Sequence, residues 1–175
     1  MHSFTDLIDR STAFTLASLS GVSEKIGDEL QTSGAIRLVK ALQMVQLQKV
    51  IMAVGMFSIF EASLQSALSC KEGFRKANDL LETAGKTDLK RRFTDLQIAI
   101  NVLKHGHGRS YDDLIKRVAD LDFRVRLPGQ AFFEEGDVSE IATLVEVDDP
   151  FVTSCARVIR EVSEAIRSVR PDITF

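Results

Sequence analysis

The stretch from Ala35 to Cys70, AIRLVKALQMVQLQKVIMAVGMFSIFEASLQSALSC, decides the fold. It is rich in Ala, Leu, Gln, Met and Lys, side chains that lose little freedom in a helix, and it holds no proline and one glycine, Gly55. Polar Arg37, Lys40, Gln43 and Gln46 recur at steps of three in its first half, and its second half is apolar on most sides. Read as a single helix of roughly 35 residues, it spans about 50 Å. Such a helix lies along the whole domain or reaches past it into a partner.

Working outward, residues 3–19 read as an amphipathic helix with Phe4, Leu7, Ile8, Phe14 and Leu19 on its apolar side. Residues 20–34, with Gly21, Gly27 and Gly34, read as a connection. Downstream, Phe74–Thr83 reads as a short helix stopped near Gly85, and Asp88–His105 as a strong one that leaves through Gly106 and Gly108. Ser110, followed by Asp112 and Asp113, reads as the cap of a helix to about Leu121. The runs Phe123–Leu127 and Thr143–Val147 alternate apolar and polar with period two, the signature of a small β-hairpin inserted at about 122–148. Pro150 opens a last helix to about Val169, before Pro171. The expectation is all-α: one domain over residues 1–175, a helical bundle of five to seven helices with a long central helix and a small appended hairpin.

The chain has 175 residues, 45% hydrophobic and 27% charged, a length and balance suited to one globular core rather than to a disordered chain. Its net charge of −3 is uneven: −1 over residues 1–70, +4 over 71–127 and −6 over 128–175. Cys70 and Cys155 form no CxxC pair and read as reduced thiols. The start of the chain lacks a basic stretch followed by an apolar one, so no secretory signal is expected. Val50–Phe60, the most apolar run, has 11 residues, against the roughly 20 of a membrane-spanning helix. A cytoplasmic location and no membrane partner are expected.

Familiar catalytic motifs fail. Gly85-Lys86-Thr87 has Leu80 where a P-loop needs its first glycine, and HExxH, GxSxG and GxGxxG are missing. His105 and His107 have no third ligand beside them in sequence, so neither metal nor cofactor is expected.

The helix over 88–105 carries the most functional information. It is apolar around most of its circumference, yet Gln97, Asn101 and His105 recur at steps of four, with Thr94 and Lys104 alongside. Residues four apart share a face, and burying such groups unpaired costs about 1–3 kcal/mol each. The stripe is therefore expected at water, at a partner chain or in a polar cleft. As a site for a phosphodiester, His105 moves a proton near neutral pH, Asn101 orients it, and Lys104, His107 and Arg109 bind phosphate with Gln97 at the edge.

At these residues the sequence resembles the HEPN superfamily (higher eukaryotes and prokaryotes nucleotide-binding). The family signature is an Arg, a polar residue that is often Asn, a few variable residues and a His near a helix end. Asn101-Val102-Leu103-Lys104-His105 matches its polar-to-His half, Gly106 follows as in the family, and Phe60-Glu61 is similar to an aromatic–acid pair on the preceding family helix. Ile100 stands at the signature Arg position, and His107 stands where some family toxins carry a tyrosine. The resemblance covers about residues 35–120. It implies an all-α homodimer and a metal-independent endoribonuclease of a toxin–antitoxin or phage-defence system. His105 and Asn101 would then be catalytic, two stripes would meet in one cleft, and an antitoxin protein would be a partner. The alternatives are a non-catalytic HEPN-like module binding nucleotide, RNA or protein, and a structural helical dimer.

Overall fold

A helix that is apolar on most sides needs neighbours on most sides, and the long helix has four. The structure is a computed structural model that describes residues 4–130 and 141–173. Six α-helices occur among the described residues: α1 (Phe4–Thr32), α2 (Ile36–Ala67), α3 (Gly73–Thr83), α4 (Thr87–His105), α5 (Arg109–Lys116) and α6 (Asp149–Val169). The 32 residues of α2 run about 48 Å and pack on α1, α3, α4 and α6. An 18-residue window of α2 has a mean hydropathy of 1.5, with 33% of it buried inside the protein. By length and composition this helix could cross a membrane, although its longest unbroken apolar run could not. Here it is the helix around which the bundle is built.

Four phenylalanine rings close the core where α2, α3 and α4 meet. Phe57, Phe60 and Phe93 are fully buried. The Phe93 ring lies 5.4 Å from that of Phe74, 6.0 Å from Phe60 and 6.2 Å from Phe57. These separations allow edge-to-face and offset contacts. From the other side, α6 adds Val152, Cys155, Val158, Ile159, Val162 and Ile166, all fully buried. Asp148 caps α6, accepting the Phe151 N–H at 2.8 Å, and Pro150 sits in the first turn.

The first helix continues past the expected break. Residues 20–32 are helical through Gly21 and Gly27, although glycine in a helix costs about 0.5–1 kcal/mol relative to alanine. Ile26 is buried in this half, and Ser20 donates to Glu24 at 3.2 Å one turn on. Packing overrides local propensity here.

The expected hairpin shrinks to a single rung. Val125 and Val145 form one isolated antiparallel bridge, flanked by Arg126 N–H to Leu144 C=O at 2.9 Å and Glu146 N–H to Arg124 C=O at 3.0 Å. The alternation read from the sequence is real: Val125 and Val145 are buried, while exposed Arg124 pairs with Glu146 at 3.1 Å. The ladder ends because the chain turns at once, through Pro128, which has no N–H to donate, and Gly129 at φ 77°. No strand occurs among the described residues, and the middle of the expected insertion, 131–140, lies outside them.

Helix α5 also differs. Gly108, at φ 150°, is its N-cap rather than Ser110, and the helix stops at Lys116 before a 3-10 turn at Val118–Asp120. The Gly108 backbone brings the chain into the helix early enough that Ser110 lies inside the first turn.

Candidate functional site

Helix α4 buries Leu89, Phe93, Leu96, Ala99, Ile100 and Val102 and turns a polar edge outward. Asn101 and His105 are exposed on that edge, one turn apart, with exposed Lys104 beside them. None of the three makes a hydrogen bond or ion pair among the described residues. Lys104 and His105 also occupy the last turn of α4, where a cation is favoured by the helix dipole.

Gly106, at φ 72°, then takes the chain out of the helix. His107 lays its ring edge-on against Tyr111, 4.8 Å away and at 87°. Tyr111 is buried and donates its hydroxyl to the Arg126 carbonyl. His107 is thus held on the surface by an aromatic contact, and Arg109 stands exposed at the first position of α5 with no ion-pair partner among the described residues. The α4–α5 turn brings exposed His105, His107 and Arg109 within five consecutive residues.

Gln97 belongs elsewhere. It is half-buried and accepts from the Asn78 side-chain amide at 3.3 Å, so it joins α4 to α3 instead of extending the open edge. Ile100, at the signature Arg position, is 4% exposed in the core. That register points inward, and an arginine there would not reach the edge. Arg91 and Arg92 are engaged far up the same helix, Arg91 with Asp88 and Asp95 and Arg92 with Asp88 and Glu161. Lys104 and Arg109 are the cations left near His105.

Asn101, Lys104, His105, His107 and Arg109 are all exposed. In the single chain the edge faces solvent. Among the described residues no cluster of three or more His, Cys, Asp or Glu side chains could hold a metal. Cys155 is fully buried, and burial pushes its thiol above the ordinary range, so it is a protonated core residue and not a nucleophile.

A charged cluster escapes the reading of the sequence. The side chain of Asp95 is 6% exposed and lies 2.8 Å from Arg117 Nη1 and 3.4 Å from Arg91 Nη1. Burial pushes its carboxyl above the usual carboxylate value. The nearby positive charges of Arg117 and Arg91 oppose that rise, and Asp122 adds to it. The folded state thus holds this proton to higher pH than the unfolded chain. Its contribution to stability is fully present below the ordinary value of 3.8 and is lost as pH rises through the elevated one. Denaturant titrations at stepped acidic pH should show wild type gaining on Asp95→Asn as pH falls across that window. A difference between the two that does not change with pH would contradict this assignment.

No family model matches the chain, and no curated protein or solved structure matches it.

Proposed function

We propose that this protein is a HEPN-like RNA-binding module that holds the phosphodiester backbone at the C-terminal end of α4 and the α4–α5 turn. The observation that carries the reading is the set Asn101, Lys104, His105 and Arg109, exposed together and committed to no partner among the described residues. Lys104 and Arg109 supply charge to phosphate oxygens, Asn101 offers amide donors, and His107 is presented by Tyr111. The missing signature Arg and the open edge favour binding over cleavage, because a transition state gains most from donors preorganised in a water-excluded site.

Cleavage is the second reading, favoured by the one-turn spacing of Asn101 and His105. In that reaction His105 takes the proton of a ribose 2′-hydroxyl, and the 2′-oxygen attacks the adjacent phosphorus. The bond to the 5′-oxygen breaks, that oxygen takes a proton from solvent water as it leaves, the hydroxide so formed is neutralised by the proton His105 gives back, and a 2′,3′-cyclic phosphate remains.

One experiment separates the readings. Single-stranded RNA is titrated in EDTA over a range of salt, and the products are resolved by size. Loss of each phosphate contact lowers the salt slope by about 0.7, so Lys104→Ala with Arg109→Ala should flatten it by about 1.4 and weaken affinity roughly tenfold. Cyclic-phosphate products from wild type that vanish in His105→Ala would establish cleavage. A slope untouched by the double substitution would remove the RNA reading.

A further inference from the structure

We propose that the seam between α3 and α4 reads the ribose of a bound strand: the Asn78–Gln97 amide pair takes a 2′-hydroxyl, and the site thereby distinguishes RNA from DNA. The inference rests on the RNA-binding reading above and names the group by which that site selects its strand.

Helices α3 and α4 pack on each other and bury Ala77, Leu81, Leu89 and Phe93. Two half-buried amides interrupt this apolar contact. Asn78 Nδ2 donates to Gln97 Oε1 at 3.3 Å. The remaining atoms of the two amides, Asn78 Oδ1 and Gln97 Nε2, are buried and have no hydrogen-bond partner among the described residues. Such open groups are rare in native folds and call for a reason. The fold supplies none, because two apolar side chains of similar shape would close the seam without leaving a donor and an acceptor unmet.

A hydroxyl is the smallest group that answers both, since one oxygen donates a hydrogen bond and accepts another. In a nucleic acid strand that group is the 2′-hydroxyl, which RNA carries and DNA lacks.

The seam leads to the phosphate site. Gln97 lies one turn from Asn101 and two turns from Lys104 on α4. Glu82 of α3 and Lys90 of α4 pair at 2.7 Å beside the turn that joins the helices, so α3 runs toward that turn and α4 away from it. Lys71, seven residues before Asn78, therefore stands at the same end as Lys104, seven residues after Gln97. At 1.5 Å per residue each is about 10 Å beyond the amide pair. Lys71 is exposed, and its ammonium has no ion-pair partner among the described residues. Its carbonyl accepts from the Gln65 side chain at 2.9 Å, which fixes the chain there. Lys71 and Lys104 hold phosphate oxygens on the two sides of the seam. A neighbouring ribose lies over the amides, with Asn78 Oδ1 accepting from its hydroxyl and Gln97 Nε2 donating to the same oxygen.

The test uses the full chain with His105→Ala, which removes cleavage through that residue, titrated with a short single-stranded RNA and with DNA of the same sequence. RNA should bind about tenfold more tightly, the effect of two neutral hydrogen bonds. A single 2′-deoxy substitution moved along the RNA should find one position that carries most of this difference. Asn78→Ala should lower RNA affinity to that of DNA, leaving DNA affinity and the salt slope unchanged. Lys71→Ala should lower the slope by about 0.7 for either strand. The walk along the RNA keeps Asn78 in place, so the test stays decisive even if Asn78→Ala fails to fold. Equal affinity for RNA and DNA would overturn the inference, as would a preference that survives Asn78→Ala in a folded chain. In both cases a slope still sensitive to Lys104 and Arg109 would leave the RNA-binding reading standing. A chain that binds neither strand would overturn the two together.

Discussion

Phe93→Ala is expected to lower the free energy of unfolding by about 3–5 kcal/mol, measured by urea denaturation. That is a large share of the roughly 5–15 kcal/mol that holds a domain of this kind together. Phe93 is fully buried, and its ring meets those of Phe57, Phe60 and Phe74, which come from two other helices. Truncation removes the apolar area and also leaves a void that three aromatic rings anchored on separate helices cannot close by small shifts. Ile36→Ala, at a side chain 72% exposed, should change stability by no more than about 0.5 kcal/mol. Equal losses in the two variants would show that this core is not where stability resides.

Gly73→Ala should cost about 1–3 kcal/mol although it adds a single methyl group. Gly73 opens α3 and is buried against α2. A Cβ there would sit 2.8 Å from the Glu61 carbonyl oxygen and 2.9 Å from Leu64 Cβ. Both atoms are fixed, one in the α2 backbone and one at the root of a fully buried side chain, so α3 must move as a body to make room. Gly27→Ala is the control: it lies in a helix with nothing within 4 Å of its added carbon and should gain about 0.5–1 kcal/mol. Denaturation of both variants checks the pair, and a Gly73→Ala chain as stable as wild type would contradict the close approach.

Helices α3, α4 and α6 were legible to within a residue or so because their signals are local: a steady apolar period, a glycine exit, and Pro150 after Asp148. What was not legible is long-range. Gly21 and Gly27 read as a break because sequence shows their cost and not the packing of Ile26 that outweighs it. Val125 and Val145 alternate as a strand does, but alternation reports which side is buried and not how many rungs form. At the candidate site, the exposure of Asn101 and His105 follows from polar spacing on a buried helix. The capture of Gln97 by Asn78, and of Asp95 by Arg117, depends on partners 19 and 22 residues away that no spacing rule links. Nothing local marks Gly73, since the atoms that forbid a side chain there belong to α2.

The last helix supplies one whole wall of the core, and the first helix rests on it: α1 packs on α2 and α6, with Arg160 of α6 bound to Asp9 of α1 at 2.8 Å. During synthesis α2 therefore emerges with three of its four neighbours, α3, α4 and α6, still unmade, and its greasy surface stays partly uncovered until ribosomes have translated through residue 169. Cooperative folding has to wait for that moment, and chains stalled before it are natural clients for holding chaperones and proteases.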